Sequence, residues 1–227
     1  MSTPRGAPAA LMYLHGFNSS PQSVKAREIV ARVAALPESL RPQILVPELP
    51  PRPAQAMAEV CALVDRIGAS ALTLIGSSLG GYYATWLAER YTREGVRAVL
   101  INPTTGPATD LRPYLGPQRN LYNGATYTLT EAHLREFLDL KVDRITRPGR
   151  YYLMVQTGDE VLDYRLAIAH YAGAFQLVLG GGDHSFANFG RHIDSILQFA
   201  GINCAVIPAH AGIQEFARGA GFRRPPE

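Results

Sequence analysis

Three short segments of the chain hold residue types that could together cleave an acyl bond. The first is Gly76-Ser77-Ser78-Leu79-Gly80-Gly81, a G-x-S-x-G pattern between an apolar run at 72–75 and a helix-like run. In a strand–turn–helix setting that pattern marks a turn so tight that only glycine fits beside it, and the turn lifts a serine hydroxyl clear of the sheet. A serine hydroxyl is a weak nucleophile until a base accepts its proton, so a histidine steadied by a carboxylate should follow, in the order serine, acid, histidine. Asp159, in Gln156-Thr157-Gly158-Asp159, and His184, in Gly180-Gly181-Gly182-Asp183-His184, stand in that order. The bland reading of the serine segment is a Gly-rich turn. A phosphate loop is disfavoured because the Gly-Lys-Ser/Thr ending is missing.

The remaining histidines divide by position. His133, His170 and His192 fall inside helix-like runs, His210 lies near the end of the chain, and His15 precedes Gly16 too early to be the base. Glu160, Asp163 and Asp183 are alternatives for the acid. Asp163 reads better as a helix N-cap before Tyr164, and the side chain of Asp183, next to His184 in the chain, should diverge from the imidazole. An oxyanion needs two amide donors. Leu79 supplies one from the helix N-terminus, and Phe17, in His15-Gly16-Phe17-Asn18-Ser19-Ser20, is the candidate for the other.

Elements that could position these residues are visible as periodicity. Six short apolar runs, at 10–14, 44–47, 72–75, 98–101, 152–156 and 176–179, lack alternation, as expected of strands buried on both faces. Helices are predicted at 21–36, 54–67, 79–93, 131–138, 164–171 and 189–199, with Ser20, Thr130 and Asp163 as start signals and Pro53 in the first turn of its helix. The alternation implies an α/β fold, a mostly parallel sheet between two helical layers. In such sheets Ser78, Asp159 and His184 all fall at the C-terminal edge of the strands. The stretch 103–130, rich in Pro and Gly, reads as a lid-like loop whose Tyr114, Leu115, Leu121 and Tyr122 could meet an acyl chain. Tyr82, Tyr83 and Trp86 read as core.

The chain has 227 residues, 47% of them hydrophobic and 18% charged, enough for one domain over 1–202 with a C-terminal tail over 203–227 that reads as disordered. A packed arm around Val206-Ile207 is the alternative for the tail. A formal charge of +3 without basic runs gives no reason to expect a nucleic-acid partner. No apolar run reaches the ~20 residues of a membrane span, and no leader is apparent. Cys61 and Cys204 have neither metal-ligand spacing nor disulfide density, which suits a reducing cytoplasm.

Four segments together, 13–21, 76–85, 156–164 and 181–186, resemble the bacterial YqiA-type esterases, in register from about Leu11 to Ile202. That resemblance implies an α/β-hydrolase fold and esterase activity, including acyl-CoA thioesters, with no metal or organic cofactor. Position by position it places the nucleophile at Ser78, the acid at Asp159 and the base at His184; nothing is carried over from Asn203 onward. The expected partner is a small acyl ester or thioester. A peptidase or amidase with the same triad, or a non-catalytic binding module on the same fold, are the competing readings.

Overall fold

The computed structural model describes residues 10–203 of the chain. The tail from Cys204, with His210 and the segment around Val206-Ile207, lies outside the described residues, as does 1–9. In chain order the elements are β1 (Ala10–Leu14), α1 (Val24–Ala34), β2 (Gln43–Leu45), α2 (Pro53–Ile67), β3 (Leu72–Ser77), α3 (Leu79–Arg90), β4 (Arg97–Ile101), α4 (Pro107–Asp110), β5 (Gly116–Arg119), β6 (Thr126–Leu129), α5 (Glu131–Asp139), β7 (Tyr151–Gln156), α6 (Tyr164–His170), β8 (Phe175–Leu179) and α7 (Ile193–Phe199).

Six strands form one sheet in the order β2-β1-β3-β4-β7-β8. All of its pairings are parallel. The missing alternation has the expected cause. Successive side chains of a strand point to opposite faces, and here both faces are covered. Met12 and Leu14 of β1 join a core with residues of α2, α3, α5 and α6, while Leu11 and Tyr13 join a second core with residues of α1 and α7. Full burial of each such aliphatic side chain contributes roughly 1.5–3 kcal/mol. This is a three-layer α/β/α sandwich.

The stretch 103–130 departs from the expectation of an irregular loop. It contains the short helix α4, a 3-10 turn at Arg112–Tyr114, and an antiparallel hairpin of β5 and β6. Prolines 107, 113 and 117 and strands of only four residues hide any period. Asn123-Gly124 was the readable signal, since Gly124 sits at φ 73° in the turn.

Helix starts follow local hydrogen bonds. Asp163 caps α6 as expected, its Oδ1 accepting the amide of Arg165 at 3.0 Å. Thr130 forms a capping box with His133, whose Nδ1 accepts the Thr130 amide at 3.1 Å. The first helix, however, begins at Val24 rather than at 21. Ser20 Oγ accepts the Gln22 amide at 3.0 Å, and the Ser23 amide bonds Ser20 O at 3.1 Å. Those bonds close a separate turn ahead of the helix. The predicted 189–199 helix opens with a 3-10 turn over Phe189–His192 before α7.

The β3–α3 junction is where the sheet and its helices come closest. A Cβ at Gly80 would stand 2.0 Å from Leu14 O, and one at Gly76 would stand 2.2 Å from Gly80 O. Both contacts are with backbone and cannot swing away. Gly76→Ala should therefore destabilise the protein by roughly 3 kcal/mol, the upper end for overpacking. That corresponds to a fall in Tm of roughly 6–12 °C by differential scanning calorimetry for a domain of this size.

Candidate active site

Ser78 joins β3 to α3 with φ 55° and ψ −118°, a region in which an L side chain is strained by about 1–3 kcal/mol. Its backbone is clamped into that shape. The Ser78 amide donates to Ile101 O at 2.9 Å, and Ser78 O accepts amides from Gly81 at 2.9 Å and Thr104 at 3.3 Å. The result aims the hydroxyl across the sheet edge at His184, whose Nε2 lies 3.0 Å from Ser78 Oγ. On the other side of the ring, Nδ1 lies 2.9 Å from Asp159 Oδ2 and 3.0 Å from Oδ1. A carboxylate can only accept, so Nδ1 carries the proton and Nε2 is left to accept a hydrogen bond from the Ser78 hydroxyl.

Asp159 is nearly buried, its side chain 2% exposed. Burial alone would raise its pKa. Hydrogen bonds from His184 and from the amides of Leu162 and Val161, each amide 2.9 Å from Oδ1, outweigh that and hold the carboxyl below its ordinary value. The alternative acids have other partners. Asp163 is the α6 cap, and Glu160 Oε2 accepts the His184 amide at 2.9 Å, so Glu160 holds the backbone of the residue whose ring Asp159 holds.

Sequence reasoning missed the residues that fix the histidine loop. Asn102, at the end of β4 with φ 41°, is buried. Its Nδ2 donates to Asp183 O at 2.9 Å and His184 O at 3.2 Å, and its Oδ1 accepts the Gln156 amide at 3.0 Å. Gln156, at the end of β7, accepts the amides of Asp183 at 3.1 Å and Ala187 at 2.8 Å on Oε1 and donates Nε2 to Ala187 O at 2.9 Å. Lys25 Nζ adds a bond to Ser185 O at 2.7 Å. Polar residues at the C-terminal ends of two buried strands were the only signal in the sequence.

The loop after β1 passes directly over the serine. A Cβ at Gly16 would lie 3.3 Å from Ser78 Cβ, so only a bare backbone approaches comfortably. His15 anchors the loop: Nδ1 donates to Gly16 O at 3.1 Å and Nε2 accepts the Leu49 amide at 3.3 Å. Burial holds its pKa below the ordinary value. The next residue is Phe17. Leu79, as the first residue of α3, has an amide with no carbonyl one turn back. The β5–β6 hairpin is tied to the same loop by four bonds: Asn18 Nδ2 to Gln118 at 3.0 Å, Tyr127 Oη to Asn18 at 2.8 Å, Asn120 Nδ2 to Ser19 O at 2.8 Å and the Leu121 amide to Asn18 O at 3.0 Å. Phe17 also packs on Tyr114 and Tyr127, with ring centroids 6.2 and 6.5 Å away.

These elements enclose a cavity of about 790 Å³ that reaches Ser78 and His184. The volume is in the range of small-molecule sites. Tyr114, Leu121 and Tyr122 line it, whereas Leu115 does not. Tyr82 and Tyr83 are buried in the core and Trp86 is partly buried against it. Among the described residues no group of three or more His, Cys, Asp or Glu side chains is arranged to hold a metal ion, and no helix is long and apolar enough to cross a membrane.

Residues 10–201 match the model of an uncharacterised protein family, UPF0227. The chain belongs to the UPF0227 family. This UPF0227 member resembles several solved structures. A candidate hydrolase from Agrobacterium vitis S4 superposes with a TM-score of 0.69 at 20% identity, over 87% of this chain and 91% of that one. Est1E from Butyrivibrio proteoclasticus with ferulic acid bound gives 0.63 at 14% identity, over 87% and 88%. A monoacylglycerol lipase from Paleococcus ferrophilus gives 0.62 at 13% identity, over 87% and 97%. The shared architecture is the α/β-hydrolase fold.

Two outcomes follow from the site. Asn102→Ala should destabilise the protein by roughly 1–3 kcal/mol, because it strips the buried partners of the Asp183 and His184 carbonyls and of the Gln156 amide; urea unfolding checks this. For Asp159 the depressed folded pKa means its stabilisation is complete above the ordinary aspartate pKa of about 4 and is lost as pH falls through the lower folded value. The urea midpoint of the wild type should therefore exceed that of Asp159→Asn near neutrality, and the gap should close on acidification below about pH 4.

Proposed function

We propose that this protein is a serine hydrolase that cleaves carboxylic esters of small molecules, with acyl-CoA thioesters open to the same attack. The observation that carries the reading is the unbroken hydrogen-bonded line from Ser78 Oγ through His184 to Asp159, at 3.0 and 2.9 Å. In the proposed cycle His184 Nε2 takes the Ser78 proton as Oγ attacks the carbonyl carbon. The amides of Leu79 and Phe17 receive the oxyanion, and Asp159 steadies the imidazolium. Collapse of the tetrahedral adduct expels the alcohol or thiol, which takes the proton from His184. Water then repeats the sequence on the acyl-enzyme and frees the acid.

The apolar side of the cavity, with Phe17, Leu111, Leu121 and Val161, is assigned to the acyl chain. Leu121, 81% exposed, and Val161, 55% exposed, give the mouth of the cavity an apolar rim suited to an entering acyl chain. The hairpin thus serves as the cover of the site. The cysteine usage of the sequence supports a cytoplasmic setting.

The test is hydrolysis of p-nitrophenyl esters from acetate to palmitate, with short and long acyl-CoAs alongside, by the wild type and by Ser78→Ala. Turnover should fall on the order of 10⁶-fold in the variant, and a fluorophosphonate should label Ser78 alone. Absence of both turnover and labelling in the wild type would overturn the reading. Shortening the 116–129 hairpin should shift the preferred chain length; an unaltered profile would remove the hairpin from acyl recognition.

A further inference from the structure

The cavity has a second wall that the acyl-transfer cycle does not use. The end of β1 and the first turns of α1 bring Tyr13, Ser23, Lys25 and Glu28 to line the same space as Ser78 and His184. Ser23 Oγ and Glu28 Oε2 are both buried and, among the described residues, neither has a hydrogen-bond partner. Ser23 as a whole is only 7% exposed. The hydroxyls of Ser23 and Ser77 stand near the Tyr13 hydroxyl and favour its ionised form against the opposing effect of burial, yet Ser23 Oγ falls outside hydrogen-bonding geometry. Among the described residues Lys25 commits one donor, to Ser185 O at 2.7 Å, of the three an ammonium carries.

Buried polar atoms without partners are rare in folded proteins and mark places where something else completes them. Two occur here close together, one just ahead of α1 and one in its second turn, beside a cavity and next to the Lys25 ammonium. The charges decide what kind of group fits. An anion drawn to Lys25 meets the carboxylates of Glu28, Asp159 and Asp183, which act on that ammonium. A cation drawn to Glu28 meets Lys25. A hydroxyl group suffers neither conflict, since it donates to a carboxylate and accepts from an ammonium or a serine.

Resting on the esterase reading, we propose that Ser23, Lys25 and Glu28, with Tyr13 behind them, form a subsite for a hydroxyl-bearing part of the substrate. The ester straddles the nucleophile, its apolar part on the Phe17–Leu121 side and its hydroxyls turned to the α1 side. The hydroxyls belong either to a polyol leaving group or to a hydroxylated acyl chain.

The experiment compares kcat/KM for ethyl butyrate, glyceryl 1-monobutyrate and ethyl 3-hydroxybutyrate in the wild type, Ser23→Ala and Glu28→Leu. The wild type should favour one hydroxylated ester over ethyl butyrate by at least about 10-fold, as for a hydroxyl hydrogen-bonded in its site. Glyceryl ester preference identifies the leaving group, and hydroxybutyrate preference identifies the acyl chain. In both variants the preference ratio should fall about 10-fold, while Tm rises by roughly 2–4 °C because an orphan polar group has been removed. A second arm needs no catalysis: 1-O-hexylglycerol should raise the Tm of Ser78→Ala but not of the Ser78→Ala, Glu28→Leu double variant. A ratio equal in wild type and variants, with no difference in the thermal shift, would overturn the subsite. No turnover of any ester with the thermal shift intact would instead overturn the esterase reading and leave the subsite standing.

Discussion

The whole arrangement depends on one steric constraint, the crossing of β3 into α3 at backbone-to-backbone contact. Gly76 and Gly80 let the strand turn into the helix with Leu14 O packed against the turn. Only then can Ser78 hold a positive φ and project from the sheet edge instead of lying within it. That strain persists because the surrounding backbone leaves no alternative: Ile101 O, the Gly81 amide and the Thr104 amide fix both sides of the residue. Rigid placement matters because a nucleophile and its base act at hydrogen-bond range, and a loop free to wander would spend little time there.

The histidine is placed by different means. Its loop leaves β8, an edge strand of the sheet, so sheet hydrogen bonding alone cannot hold it. Asn102 and Gln156 reach over from β4 and β7 and bind the loop's own backbone, and Glu160 and Lys25 add bonds from two further directions. The glycines in this loop are part of the same device. A Cβ at Gly182 would stand 2.0 Å from Gln156 Oε1, and one at Gly158 would stand 2.4 Å from Gly182 O. Serine geometry therefore comes from backbone sterics, and histidine geometry from buried amides.

The sequence made most of the scaffold readable because burial on both sheet faces writes unbroken apolar runs, as in β1, β3, β4 and β7. The Gly-Ser-Gly turn was readable because its steric demand is local. The hairpin was not, since its stability comes from bonds to the 16–20 loop about a hundred residues away and from rings of Phe17, Tyr114 and Tyr127 meeting across that gap. Asn102 and Gln156 were hidden for the same reason: an amide at a strand end has no pattern until the loop it binds is in place. The start of α1 was misplaced because Ser20 and Ser23 compete for one role, and the turn at Ser20–Ser23 decides it.

The four bonds between the hairpin and the loop carrying Phe17 have a consequence for how such a site can diverge. The segment that covers one side of the cavity is fastened to the one that crosses Ser78, so the two cannot drift independently under mutation. A lineage altering the hairpin to reshape that side of the cavity must also preserve Asn18 and its partners, or lose the loop's position over Ser78. Variation should therefore accumulate on side chains that take no part in that joint, such as those of Tyr122, of Leu121, which joins it through its backbone amide alone, and of the opposite face on α1, leaving the joint itself as the slowly changing part of the entrance.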